Sequence, residues 1–211
     1  MARHLTAENS AMVLIDYAIG FATMFRSQAT ADNVNNATAL AKIARIYGLP
    51  LIVTNGPDDA PAGPLYPELT AALGDHTFIE RYGEFDAFDR EEFATAVQAT
   101  GRRRLVMAGL MTEGCLLATV LTALDLGFEV FVVEDASAGE TRGTHETAVQ
   151  RMIQAGARPV TWLSLASEYQ RSWSNEKTSA AFGELLSQHN PAFALHYAHE
   201  NHLRPPSPTA L

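Results

Sequence analysis

The chain holds one cysteine, Cys115, among its 211 residues, which excludes an internal disulfide framework. Basic residues are also scarce: 15 Lys and Arg stand against 24 Asp and Glu, for a formal charge of −9. That balance gives no fold-wide basic footprint for nucleic acid, and an anionic membrane surface would repel it. Long apolar runs are missing too. The run from Ala11 to Ile15 is far short of a signal-peptide core or of the roughly 18 residues a membrane span needs. A soluble cytoplasmic protein is therefore expected, in a reducing compartment where a free thiol survives. With 47% hydrophobic and 18% charged residues, the composition is that of an ordinary globular chain, long enough for one well-buried core.

What is present alternates in character. Short runs rich in Val, Ile and Leu (Ala11 to Ile15, Pro50 to Thr54, His76 to Ile79, Arg104 to Ala108, Glu129 to Val133 and Pro159 to Leu163) read as six strands. Between them lie segments of helical spacing: Asp32 to Tyr47 closed by Gly48, Tyr66 to Leu73, and one opened by Asp89 with Glu92 three residues on. Thr112 to Leu126 follows, and then Thr141 to Ala155, closed by Gly156. Two more polar-faced helical segments finish the body. Near-continuous apolar strands separated by helices predict a parallel sheet covered on both faces.

An open parallel sheet binds ligands beyond the carboxyl ends of its strands, where the strand order reverses. In the common order 3-2-1-4-5-6 the first and fourth strands flank that crevice. Asp16 ends the first, and the turn after the fourth carries Cys115 toward a helix start. Backbone N–H groups and the positive helix end would favour a thiolate there and an oxyanion beside it. The opposing reading is that Cys115 is simply a small core residue of an apolar helix. Spacing alone leaves both open. Other nucleotide and hydrolase signatures fail: no G-x-G-x-x-G follows the first strand, G-x-S-x-G is missing, and Gly109 to Gly114 lacks the Lys-Ser/Thr of a P-loop.

The block Gly109-Leu-Met-Thr-Glu-Gly-Cys115-Leu-Leu-Ala-Thr119, with Val132-Val-Glu-Asp-Ala136 and Met12-Val-Leu-Ile-Asp16, resembles the isochorismatase-like cysteine hydrolases. Thr161-Trp162, Ser167-Glu168 and Arg171-Ser-Trp173 are similar to the YcaC-type branch of that family. The resemblance implies a Rossmann-like three-layer αβα sandwich with a mainly parallel six-stranded sheet. Residues 1–190 would form the hydrolase domain, and 191–211 an extension that contacts neighbouring subunits before a frayed Pro-rich end. It also implies an acid, a cation and a nucleophilic thiol acting on C–N bonds. Asp16 takes the acid position and Cys115 that of the nucleophile. Arg81, in Phe78-Ile-Glu-Arg81, stands where the family usually has lysine. A guanidinium holds its charge and cannot shuttle a proton, so proton transfer falls to Asp16.

By the same resemblance, a cis peptide is expected at Met111–Thr112, with the N–H groups of Thr112 and Cys115 as an oxyanion hole. Nicotinamidase-like relatives hold a metal through Asp-x-His after the second strand, where this chain reads Thr54-Asn55-Gly56; no catalytic metal or cofactor is expected. Phe21, Asn55, Phe85 and Met111 are the expected lining of a small-molecule pocket. A homo-oligomer, tetramer or octamer, is implied as well. The leading expectation is a metal-independent cysteine hydrolase of small amides. Its alternative is an oligomeric ligand-binding or thiol redox-responsive protein of the same fold, for which Arg81 is the main argument. His196, His199 and His202 recur every three residues and read as a solvated or subunit-embracing helix face rather than a ligand set.

Overall fold

A computed structural model describes residues 4–203. Six strands form one sheet: β1 (Ser10–Ile15), β2 (Leu51–Asn55), β3 (Thr77–Glu80), β4 (Arg104–Gly109), β5 (Glu129–Val133) and β6 (Arg158–Val160). Their order is β3-β2-β1-β4-β5-β6 and every neighbouring pair is parallel. This is the expected doubly wound order, with its reversal between β1 and β4.

Eight helices cover the two faces: α1 (Thr30–Tyr47), α2 (Pro67–Ala72), α3 (Glu91–Ala99), α4 (Leu117–Asp125), α5 (Arg142–Ala155), α6 (Trp162–Gln170), α7 (Ser179–His189) and α8 (Pro191–Leu203). Alternation along the strands divides the core between these layers. Met12, Leu14, Val53, Val106 and Ala108 pack with Leu40 and Ile43 of α1, Trp162 and Leu165 of α6 and Phe182 of α7. Val13, Ile15, Ile52, Leu105 and Met107 face the other way, onto Phe93 of α3, Val120 of α4 and Met152 of α5. Each large side chain so buried contributes roughly 1.5–3 kcal/mol. Gly109 marks where β1 and β4 close up: a Cβ there would lie 2.4 Å from the Ile15 carbonyl oxygen.

Several boundaries differ from expectation. The run Pro159 to Leu163 splits, because the Thr161 hydroxyl accepts the Ser164 N–H and Ser164 returns a bond to the Thr161 N–H. That reciprocal cap starts α6 and leaves β6 at three residues. Asp89 does not open α3. The carboxylate of Asp86 instead accepts the Phe88 N–H and starts a short 3-10 turn, Ala87–Asp89, ahead of it. The single helix expected from Thr112 is interrupted at Gly114, whose φ of −106° and ψ of −107° are not helical. A wide turn over Thr112–Leu116 results, and α4 begins only at Leu117. Pro205 to Pro208, expected to fray, lie outside the described residues. Among the described residues no helix is long and apolar enough to cross a membrane.

Candidate active site

Strand register sets the centre of the site. Ile15 lies beside Thr54 on β2 and Gly109 on β4, so the next residue, Asp16, leaves the sheet where the strand order reverses. Asp16 has a φ of +55°, in the left-handed region that non-glycine residues rarely occupy. Its N–H is fixed by the Thr54 carbonyl at 2.9 Å, and its Oδ2 accepts from the Arg81 guanidinium. Both side chains are almost wholly buried, at 5% and 3% exposure.

Each nitrogen of the Arg81 head is held by a partner within the chain. The backbone N–H bonds the Asn55 carbonyl at 2.9 Å, Nε donates to Thr54 Oγ1 at 2.9 Å, one Nη donates to the Glu84 carbonyl and the other to Asp16. Thr54 therefore does different work from the metal-binding aspartate expected of nicotinamidase-like relatives at that strand end: its hydroxyl anchors the arginine. The loop supplying Glu84 is fastened to α4, since Ala87 N–H donates to Thr119 Oγ1 at 2.9 Å and the Thr122 hydroxyl bonds Asp86.

The Cys115 thiol lies within electrostatic reach of both the Asp16 carboxylate and the Arg81 guanidinium. Burial, and then the adjacent carboxylate, push the thiol up to about 12 against the pull of Arg81. Burial likewise raises Asp16 above the usual carboxylate range, although Arg81 draws it down. The resting pair is thus a neutral thiol beside a carboxylate of increased basicity. Moving the proton from sulfur to Asp16 leaves a thiolate still facing Arg81, so the cation is paired before and after transfer.

The turn that carries Cys115 is clamped from outside. The Thr112 hydroxyl bonds His145 Nδ1 at 2.8 Å, and Glu113 accepts the Glu140 N–H at 2.8 Å. A Cβ on Gly139 would lie 2.5 Å from Glu113 Oε2 and 3.2 Å from His145 Cα, so the strap over this turn has no room for a side chain. Two expectations are corrected here. The cis peptide lies one bond earlier, at Leu110–Met111. The Thr112 N–H is not free for an oxyanion, because it donates to the Ala138 carbonyl at 2.9 Å and ties the turn to the strap. The N–H of Met111, by contrast, has no hydrogen-bond partner among the described residues.

The isochorismatase-domain family model matches residues 10–164. The chain belongs to the isochorismatase family. Within it, the chain is 38% identical over 189 residues to the probable hydrolase YcaC of Escherichia coli K12, covering 90% of each chain. The crystal structure of E. coli YcaC, an octameric hydrolase of unknown specificity, matches with a TM-score of 0.91 at 36% identity, over 97% of this chain and 99% of that one. YcaC from Pseudomonas aeruginosa, solved with hexane-2,5-diol and covalent acrylamide, matches with a TM-score of 0.89 at 36% identity, over 95% and 98%.

In this isochorismatase-family site the expected pocket residues fall into two groups. Phe85 and Met111 flank the Cys115 turn: a Cβ at Gly114 would meet Phe85 Cδ1 at 3.8 Å and Met111 Cβ at 4.0 Å. Phe85 is 69% exposed, whereas Met111 also packs on the core. Phe21 and Asn55 sit differently. Phe21 lies in a short 3-10 turn and packs on the α1 side of the core. Asn55 is buried at the end of β2, donating from Nδ2 to the Gly63 carbonyl at 3.1 Å, while its Oδ1 has no partner among the described residues. Thr54, His145, Glu113 and Gly139 were missed as site residues by the sequence reading, although His145 lies within the resembling region. The Glu84 contact runs through a backbone carbonyl and so leaves no side-chain signal. Among the described residues no group of three or more His, Cys, Asp and Glu is placed to hold a metal ion.

Proposed function

We propose that the protein is a cysteine hydrolase that cleaves an amide or related C–N bond of a small molecule without a metal. The observation that carries this reading is the buried Arg81–Asp16 pair within electrostatic reach of the only thiol of the chain. A thiol held near 12 releases its proton to water in only about one molecule in 10⁵ at pH 7, so the proton must pass to a neighbouring base. Asp16 is that base. Cys115 Sγ attacks the carbonyl carbon as its proton moves to Asp16, and Arg81 balances the negative charge that develops on sulfur. Asp16 then delivers the proton to the leaving nitrogen as the C–N bond breaks and a thioester remains. Water adds to the thioester carbonyl, Asp16 takes its proton, and the S–C bond breaks to give the acid and restore the thiol. The net change is amide plus water to acid plus amine. The N–H groups of Cys115 and Met111 are the candidate donors to the tetrahedral oxyanion.

The covalent acrylamide in the P. aeruginosa relative supports a reactive nucleophile in this branch, since acrylamide is an electrophile that alkylates thiols. A redox-responsive role is less well supported: Cys115 is the one cysteine of the sequence, so the chain offers no second thiol to resolve an oxidised sulfur. The octameric E. coli relative supports a homo-oligomer here too. The deciding experiment incubates the protein with a panel of small amides, ureides and imides and follows intact mass. An acyl adduct on Cys115, lost in Cys115→Ala together with turnover, is expected. Turnover retained by Cys115→Ala overturns the mechanism.

A further inference from the structure

The surroundings of Cys115 discriminate on charge. Each nitrogen of the Arg81 head already donates within the chain, to Thr54, Glu84 and Asp16, and the charge is shared with Cys115. None of its nitrogens is wholly free to join a bidentate grip on a substrate carboxylate, the usual recognition device for one. The other arginines on this end of the sheet are also paired: Arg26 with Glu140, Arg142 at the start of α5 with Glu146, and Arg90 with Glu84 and Glu92 while its head lies 5.0 Å from the Tyr82 ring centroid. The segments that leave the strands here, 16–28, 56–66, 80–90, 110–116 and 137–140, carry nine carboxylates against three arginines. That is a stronger acidic bias than the 24 to 15 of the whole chain. An anion approaching Cys115 meets this field, whereas an uncharged ligand does not.

The same end is also unusually apolar. Phe85, beside the Cys115 turn, is 69% exposed, and Ile19 (44%), Met24 (53%) and Tyr82 (64%) stand on the loops leaving β1 and β3. Phe85 against the Cys115 turn, with further exposed apolar side chains on the loops at the same end, fits a ligand that buries hydrocarbon and presents one polar carbonyl.

We infer that the site takes an uncharged amide carrying a short apolar chain and excludes carboxylate-bearing amides of the same size. This rests on the hydrolase reading for its chemistry but not for its selectivity, and the two are separable by experiment. The probes are N-propylacrylamide and N-(2-carboxyethyl)acrylamide, which share one electrophile and differ in a terminal methyl or carboxylate. Each forms an S–C bond at the alkene β-carbon while the thiol proton goes to the α-carbon. Alkylation of Cys115 is followed by intact mass at several probe concentrations, and each rate is divided by that for glutathione with the same probe. The propyl probe should react at least tenfold faster, and Phe85→Ala should cut that preference severalfold. Pentanamide should be hydrolysed and succinamate should not. Equal rates for the two probes, or a faster carboxylated one, overturn the inference. If the tenfold preference holds and pentanamide is not hydrolysed, the ligand class stands and the hydrolase reading falls.

Discussion

Arg81 and Asp16 lie 65 residues apart in sequence yet form an ion pair that is almost wholly buried. A buried pair is costly to assemble and more costly to break, because removing one partner strands the other charge out of water. In the proposed mechanism the pair also serves as base and counter-ion, so stability and activity are coupled through it. Arg81→Met should destabilise the fold by about 3–5 kcal/mol at neutral pH. It should lower kcat more than a thousandfold, as Asp16 becomes protonated and ceases to accept the thiol proton. Arg81→Lys keeps the charge but loses the fork to Thr54 and Glu84. A tenfold to hundredfold loss in kcat is expected for it, read beside thermal melts of both variants.

The pH profile of turnover follows from the same trio. As the proposed base Asp16 must be ionised, and burial raises it above its ordinary 3.8, so kcat/KM should climb through the acid range with a midpoint above that value. The thiol is held up near 12, so no alkaline loss from its ionisation is expected below about pH 10. A bell centred near neutrality, with a falling limb near pH 8, would contradict the assignment of Asp16 as base to a neutral thiol.

Stability should show its own pH signature at Asp135. Burial lifts this carboxyl to about 6, although its Oδ1 accepts the Trp162 N–H at 2.9 Å. A folded-state value above the unfolded one means the native state binds the extra proton. The contribution is therefore fully present below about pH 4 and is lost as pH rises through about 6. Asp135→Asn retains an acceptor and removes the charge. It should raise stability at pH 7.5 by roughly 1–3 kcal/mol and leave it unchanged near pH 4, measured by urea unfolding at both values.

The strap over the Cys115 turn is a packing constraint that a single methyl group tests. Gly139→Ala places a Cβ against Glu113 Oε2 and the His145 backbone, and the clash must shift the turn or the start of α5. A loss of about 1–3 kcal/mol is expected, with slower alkylation of Cys115 by acrylamide. An unchanged rate would show that the strap is not what positions the thiol.

Assembly can be tested on α8. Phe193 stacks between Trp173 and Tyr197, with ring centroids 6.2 Å apart on each side, while Leu195 and Trp173 remain 73% and 57% exposed. If this helix joins subunits, Leu195→Glu should reduce the assembly seen by light scattering without changing the far-ultraviolet circular dichroism.

The architecture was largely legible in the sequence because its signals are local. Apolar runs such as Met12 to Ile15 and Val130 to Val133 carry the side chains of strands buried on both faces, and Gly48 and Gly156 stop helices α1 and α5 where expected. The parallel order then follows from the helical crossovers, and it brings the residue after β1 to the turn after β4. Asp16 and Cys115 as neighbours were thus within reach of the sequence, and family resemblance added Arg81. What it could not resolve depends on distant partners. The interruption at Gly114 separates Cys115 from α4, and the Thr112 N–H is lost to Ala138. Whether Arg81 binds substrate or its own chain depends on a hydroxyl of β2 and a carbonyl of the next loop. Residue type and spacing determined which groups are in the site. Only the tertiary structure decided which of their hydrogen bonds are already occupied, because burial removes the water that would otherwise leave that choice open.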